Sequence, residues 1–150
     1  MAQDNVSDMI DELVSVYGEG LEGTAPNAKQ WAKIFNRDPA RPITLVNFFK
    51  LRDTAKYPEG SALSGTGKEA FDRYAAVSIP AVARAGGKFL VVAPCEGNFV
   101  GNDEDWDIIA VGAFPETKVF LSLWSDTEYQ KCFFHRTAAC EKQKVFIADC

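Results

Sequence analysis

One stretch constrains the fold more than any other: residues 67–94, GKEAFDRYAAVSIPAVARAGGKFLVVAP. It reads as a long helix, a stop and a strand. With Phe71 at the zero of a helical wheel turning about 100° per residue, Ala75, Ser78, Val82 and Ala85 fall on one side, with Tyr74 at its edge. Asp72, Arg73 and Arg84 point away, so the helix is amphipathic. Its apolar face is built of small residues with a phenol and a hydroxyl among them. Such a face lets a sheet approach closely, or it leaves a space. Pro80 lies inside the pattern and has no N–H, which predicts a kink or a break near it. Gly86 and Gly87 supply a left-handed stop. Residues 88–93 then carry Phe89, Leu90, Val91 and Val92 on both faces of a strand covered on both sides.

The remaining segments fall into place around this unit. Residues 43–51, ITLVNFFKL, form the first strand, with Ile43, Leu45, Asn47 and Phe49 on one face and Thr44, Val46, Phe48 and Lys50 on the other. Residues 52–65 are a polar loop long enough for a lid or a rim. Residues 106–114, WDIIAVGAF, form the third strand, with Trp106, Ile108, Ala110, Gly112 and Phe114 sharing a face. A short helix spans 116–124. Ser125 with Glu128 reads as a capping box opening a second helix that runs to about Lys142. Residues 144–148, KVFIA, close the chain as a strand. The order strand, helix, strand, strand, helix, strand is the ferredoxin-like α+β arrangement, βαββαβ, with helices on one face of an antiparallel sheet. Because the strands are apolar on both faces, the uncovered face needs a partner. A second copy of the same sheet is the simplest one, giving a two-fold homodimer.

Residues 1–40 read as an N-terminal helical extension to a domain covering 41–150. Ser7 is the expected cap of a short helix ending at Gly18, and Pro26 the expected opening of another that carries Trp31, Ile34 and Phe35 on one side.

A net charge of −5 argues against nucleic acid or anionic lipid as partner. No apolar run approaches the ~18 residues of a membrane span, and the acidic N-terminus is no signal peptide. A cytoplasmic location is expected. Cys95, Cys132, Cys140 and Cys150 form no CxxC pair and join no histidine cluster, so reduced packing thiols are expected and no metal site. SGTGKEA ends like a phosphate-binding loop, but Ala62 stands where its first glycine belongs and Glu69 where Ser or Thr should hold magnesium. The acidic run at 103–105 lacks the alternating ligands of a calcium loop.

Three segments, VNFFKLRDTAKYPEG, AFDRYAAVSIPAVARAGGKFLVV and FPETKVFLSLWSDTEYQKCFFHRTAA, agree in order and spacing with a known family. Over about residues 41–149 the chain resembles domain of unknown function 1330, DUF1330, within the dimeric α/β-barrel group of ferredoxin-like proteins. The resemblance implies a fold, a dimer and a pocket between sheet and helices, with no established activity. Relatives in the wider group include cofactor-independent monooxygenases, cyclases, isomerases and haem enzymes. No haem-ligand segment is recognisable here, and no cofactor is expected.

The pocket candidates are Asn47, Tyr74, Ser78, Trp106, His135 and Arg136. Asn47 interrupts an apolar row, so its amide ties down a neighbouring loop or faces a ligand. On the last helix, Tyr129, Phe133, Arg136 and Cys140 share a side, which puts a guanidinium on an apolar face. Its partner is an internal carboxylate or an acid on a ligand, gripped by paired hydrogen bonds. In the second case Arg136 stabilises negative charge, His135 shuttles a proton and Tyr74 orients the substrate. Against this stand a surface or capping role for His135, and core packing for Tyr74 and Trp106. Three readings follow: a metal-free enzyme acting on a small acidic or enolisable molecule, a binding or sensing module using the same pocket, and a structural dimer whose pocket its own side chains fill.

Overall fold

A computed structural model describes residues 2–150, with side chains from Asn5 onward. Two helices, α1 (Ala2–Tyr17) and α2 (Ala28–Phe35), precede strand β1 (Ile43–Leu51). Helix α3 (Gly67–Ala85), strands β2 (Lys88–Pro94) and β3 (Ile108–Phe114), helices α4 (Thr117–Leu123) and α5 (Thr127–Ala139), and strand β4 (Cys140–Ala148) follow. The sheet is antiparallel in the order β2-β3-β1-β4, which is the ferredoxin-like topology. Among the described residues no helix is long and apolar enough to cross a membrane.

The central helix begins where Thr66 and Glu69 form a reciprocal capping box. It ends at Gly86, whose φ of 108° lies in the left-handed region that glycine tolerates. It is not broken at Pro80. Ala76 and Pro80 are both exposed, so water can take up the carbonyl that the missing N–H leaves free. Phe71, Tyr74, Ser78, Ala81 and Val82 stay buried along one face.

Other expectations need correction. The capping box at Ser125 does not form. Asp126 is the N-cap of α5, its side chain accepting from the Tyr129 N–H at 3.0 Å. Helix α5 stops at Ala139, three residues short of Lys142, because Cys140 turns extended and pairs with Leu51. Helix thus passes into strand with no loop, and the Ala139 carbonyl accepts from the Arg52 N–H at 2.8 Å. Ser7 lies inside α1 rather than at its start, and Asn27 with Gln30, not Pro26, caps α2.

Register assigns the faces. Ile43, Leu45, Asn47 and Phe49 of β1 line up with Phe114, Gly112, Ala110 and Ile108 of β3, and Leu45, Asn47 and Phe49 with Ile147, Val145 and Gln143 of β4. This face looks towards the helices. Tyr17, Trp31 and Ile34 from the N-terminal helices join the same core as Phe49, Phe71, Trp124, Tyr129 and Phe133. Tyr17 fastens them by donating its hydroxyl proton to the Trp124 carbonyl at 2.6 Å.

Candidate functional site

Helices α3 and α5 pack on each other, while the face of β3 beneath them carries only Ala110 and Gly112 between its larger residues. The small residues of α3 face the same gap. The result is a cavity of about 660 Å³ between sheet and helices, within the range of small-molecule sites. Asn47, Tyr74, Ser78 and Arg136 line it, together with Trp31, Ile34 and the 23–26 segment from the N-terminal part of the chain.

Arg136 is buried, with 8% of its surface exposed. The internal carboxylate that would be its simplest partner is absent among the described residues. Instead its Nε donates to Gln143 Oε1 at 2.7 Å and its Nη1 to the Tyr74 hydroxyl at 3.2 Å. The guanidinium lies over the rings of Phe49, Phe133 and Tyr74, 4.8, 5.5 and 5.7 Å from their centres. These contacts fix its plane and leave three of its five N–H groups without an acceptor among the described residues. Burial opposes the charge, but Tyr74, Tyr129 and Cys140 around it hold its pKa above the ordinary value, so it stays cationic. Gln143 is a site residue that the sequence reading missed. With the helix drawn to Lys142, nothing marked Gln143 as a strand residue facing inwards.

Tyr74 continues the network to Tyr129, oxygen to oxygen at 2.8 Å. Burial, and then Tyr74, push the Tyr129 phenol far up, so it remains protonated. Asn47 Nδ2 donates to the Ala110 carbonyl at 3.0 Å within the sheet, so its amide is held to the neighbouring strand while its side chain still borders the cavity. Among the described residues the enclosed side-chain polar atoms without a partner are Trp31 Nε1, Arg52 Nε, Trp124 Nε1 and Gln143 Nε2. All are N–H donors, and three sit on residues lining the cavity.

Two candidates are not brought into it. His135 does not border the cavity. One position along α5 from Arg136 turns it by about 100°, where its Nδ1 meets the Tyr57 hydroxyl at 2.7 Å. Arg73 Nη1 donates to that same hydroxyl at 3.0 Å. Burial, and then Arg73, hold the His135 pKa below its usual range. Trp106 also lies elsewhere. Strand β3 begins only at Ile108, so the alternation drawn from Trp106 does not hold. The indole packs instead on Phe48, at 5.8 Å, with the Lys142 ammonium 4.6 Å from its ring centre, on the sheet face away from the helices. Among the described residues lining the cavity there is no carboxylate, imidazole or thiol. Nor do any described His, Cys, Asp and Glu residues group to hold a metal ion.

Residues 61–150 match the family described as domain of unknown function, DUF1330. The chain belongs to the DUF1330 family. Two crystal structures of the RPA0582 protein resemble it, one of the methylated protein and one described as a protein of unknown function from Rhodopseudomonas palustris. They share 30% and 29% of its residues, cover 85% of it and 93% and 95% of their own chains, and superpose with a TM-score of 0.76 in each case. A Bacteroides fragilis protein described as dimeric, of unknown function and ferredoxin-like is 16% identical, with a TM-score of 0.44 over 73% of this chain and 96% of its own. No protein with a curated description matches this DUF1330 chain.

Proposed function

We propose that this DUF1330 protein binds a small organic anion in the cavity between sheet and helices, with Arg136 as the anchor. The observation that carries this reading is a cation buried at 8% exposure with no carboxylate beside it among the described residues. Such a charge is costly to leave without an opposite one. Its free N–H groups, and the unpartnered Nε2 of Gln143 beside it, suit a guest rich in acceptors. Binding is favoured over catalysis because none of the described side chains lining the cavity is a carboxylate, imidazole or thiol. An enzyme working here would have to draw its base from the substrate itself.

The test is a titration of purified protein with a panel of carboxylic acids, followed by recovery of each acid. Saturable binding lost in Arg136→Met, with the acid recovered unchanged, is expected. The substitution removes a buried charge but orphans the Gln143 Oε1 acceptor at a cost of about 1–3 kcal/mol, so the fold of the variant is checked alongside by circular dichroism. A chemically altered acid would restore the enzyme reading, and equal binding by Arg136→Met would sink the anchor.

The protein is also proposed to be a homodimer through its outer sheet face. Val46, Phe48, Ile109 and Val111 are only half-buried there, and Val91 and Phe146 are 46% and 54% exposed. An apolar patch of this kind, central and self-complementary, is what a two-fold contact requires.

A further inference from the structure

The cavity is polar at one end and apolar at the other, and β4 measures the distance between them. Gln143, Val145 and Ile147 follow one another on the helix-facing side of this strand. Gln143 holds the Arg136 guanidinium. Val145 and Ile147 line the cavity yet are 42% and 41% exposed, so this end opens to solvent. Four steps along the strand separate Gln143 from Ile147, or about 13 Å. Ile79 of α3, also in the lining, is 45% exposed. The mouth is therefore rimmed mainly by these aliphatic side chains, with Lys33 of α2 also in the lining. Midway stands Asn47, whose Nδ2 is directed to two backbone carbonyls, Ala110 at 3.0 Å and Leu45 at 3.4 Å, which lowers the cost of placing an apolar body beside it.

The deep end offers one net positive charge. Lys144, the other cation near this end, is paired with Glu104 at 2.8 Å, and Lys33 is exposed on α2 at the rim. A cavity of about 660 Å³ holds the volume of roughly twenty waters, far more than a short acid fills. From these observations we infer that the ligand class is an amphipathic monocarboxylate, with its head on Arg136 and Gln143 and an unbranched or slender apolar body running along β4 to the mouth. This rests on the anion-binding reading above and adds the length and character of the rest of the molecule. An extended chain of about ten carbons spans 13 Å, from C–C bonds of about 1.5 Å in zigzag.

The experiment titrates full-length protein at pH 7 with straight-chain carboxylic acids of two to fourteen carbons and with the matching primary alcohols. It is read by the fluorescence of Trp31 and Trp124 in the cavity wall. Affinity should rise about fourfold per methylene until near ten carbons and then level off, at one acid per chain. Each long acid should bind at least tenfold tighter than its alcohol. Arg136→Met should abolish that preference while leaving the alcohol unchanged, and Ile147→Ser should flatten only the gain from the last few carbons. Short acids binding as tightly as ten-carbon acids would overturn the amphipathic class and leave the anion site standing. Alcohols equal to acids, or no binding at any length, would bring down both.

Discussion

At the scale of single residues, two neighbours on α5 have separate chemistry. Arg136 faces inward and is charged without a carboxylate, while His135 faces the Tyr57–Arg73 pair. Tyr57 accepts from Arg73 and still carries one hydrogen of its own, which a neutral imidazole with a bare Nδ1 accepts. Burial and the nearby Arg73 charge favour that neutral form. The pKa of His135 is depressed, so its contribution to stability is present above the ordinary value of about 6.5 and lost as pH falls through the lower folded value. His135→Phe should therefore cost about 1 kcal/mol at pH 7.5. It should also flatten the decline in stability below about pH 6.5, measured by urea unfolding at several pH values. A wild-type profile as flat as the variant's would contradict this account of the proton.

Among the elements, the junction of α3 with the end of β1 is the tightest. Gly67 is buried at the first position of α3, and a Cβ there would collide with the backbone of Arg52. The Gly67 N–H also donates to the Arg52 carbonyl at 3.1 Å. Backbone against backbone cannot yield as a side-chain tip can, so Gly67→Ala should destabilise by about 2 kcal/mol or more, read as a lowered urea midpoint. Gly87 carries a similar constraint at the other end, where an added Cβ would come within 2.5 Å of the Phe114 ring. Between these fixed ends α3 is held at a set height above the sheet. Its small residues then leave a cavity rather than collapsing onto β3.

For the whole molecule, the helices close one face of the sheet and leave the other half-open. Val111 pairs with Val46 on one side and Val91 on the other, at the centre of that open face. For the proposed homodimer, the parent chain should run at twice its mass and Val111→Glu as a folded monomer, measured by light scattering after gel filtration. An unchanged mass would show that this face is not the interface. Residues 1–40 were set apart by the sequence reading, yet Tyr17, Trp31 and Ile34 share the main core, and the 23–26 segment walls the cavity.

Local physics made most of the architecture legible. Alternation marked β1, the amphipathic pattern and its glycine stop marked α3, and their order specified the ferredoxin-like sheet. The wheel also put Arg136 inward, and Asn47, Tyr74 and Ser78 do meet it around one cavity. What failed depended on contacts distant in sequence. Pairing of Cys140 with Leu51 ended α5 early, turned Gln143 into a cavity residue and gave Arg136 a neutral partner. Packing of Trp106 on Phe48 and of His135 on Tyr57 removed both from the site. Periodicity reports which way a side chain leaves its own element; what it meets there depends on the register between strands and the seating of helices, which only the assembled chain decides.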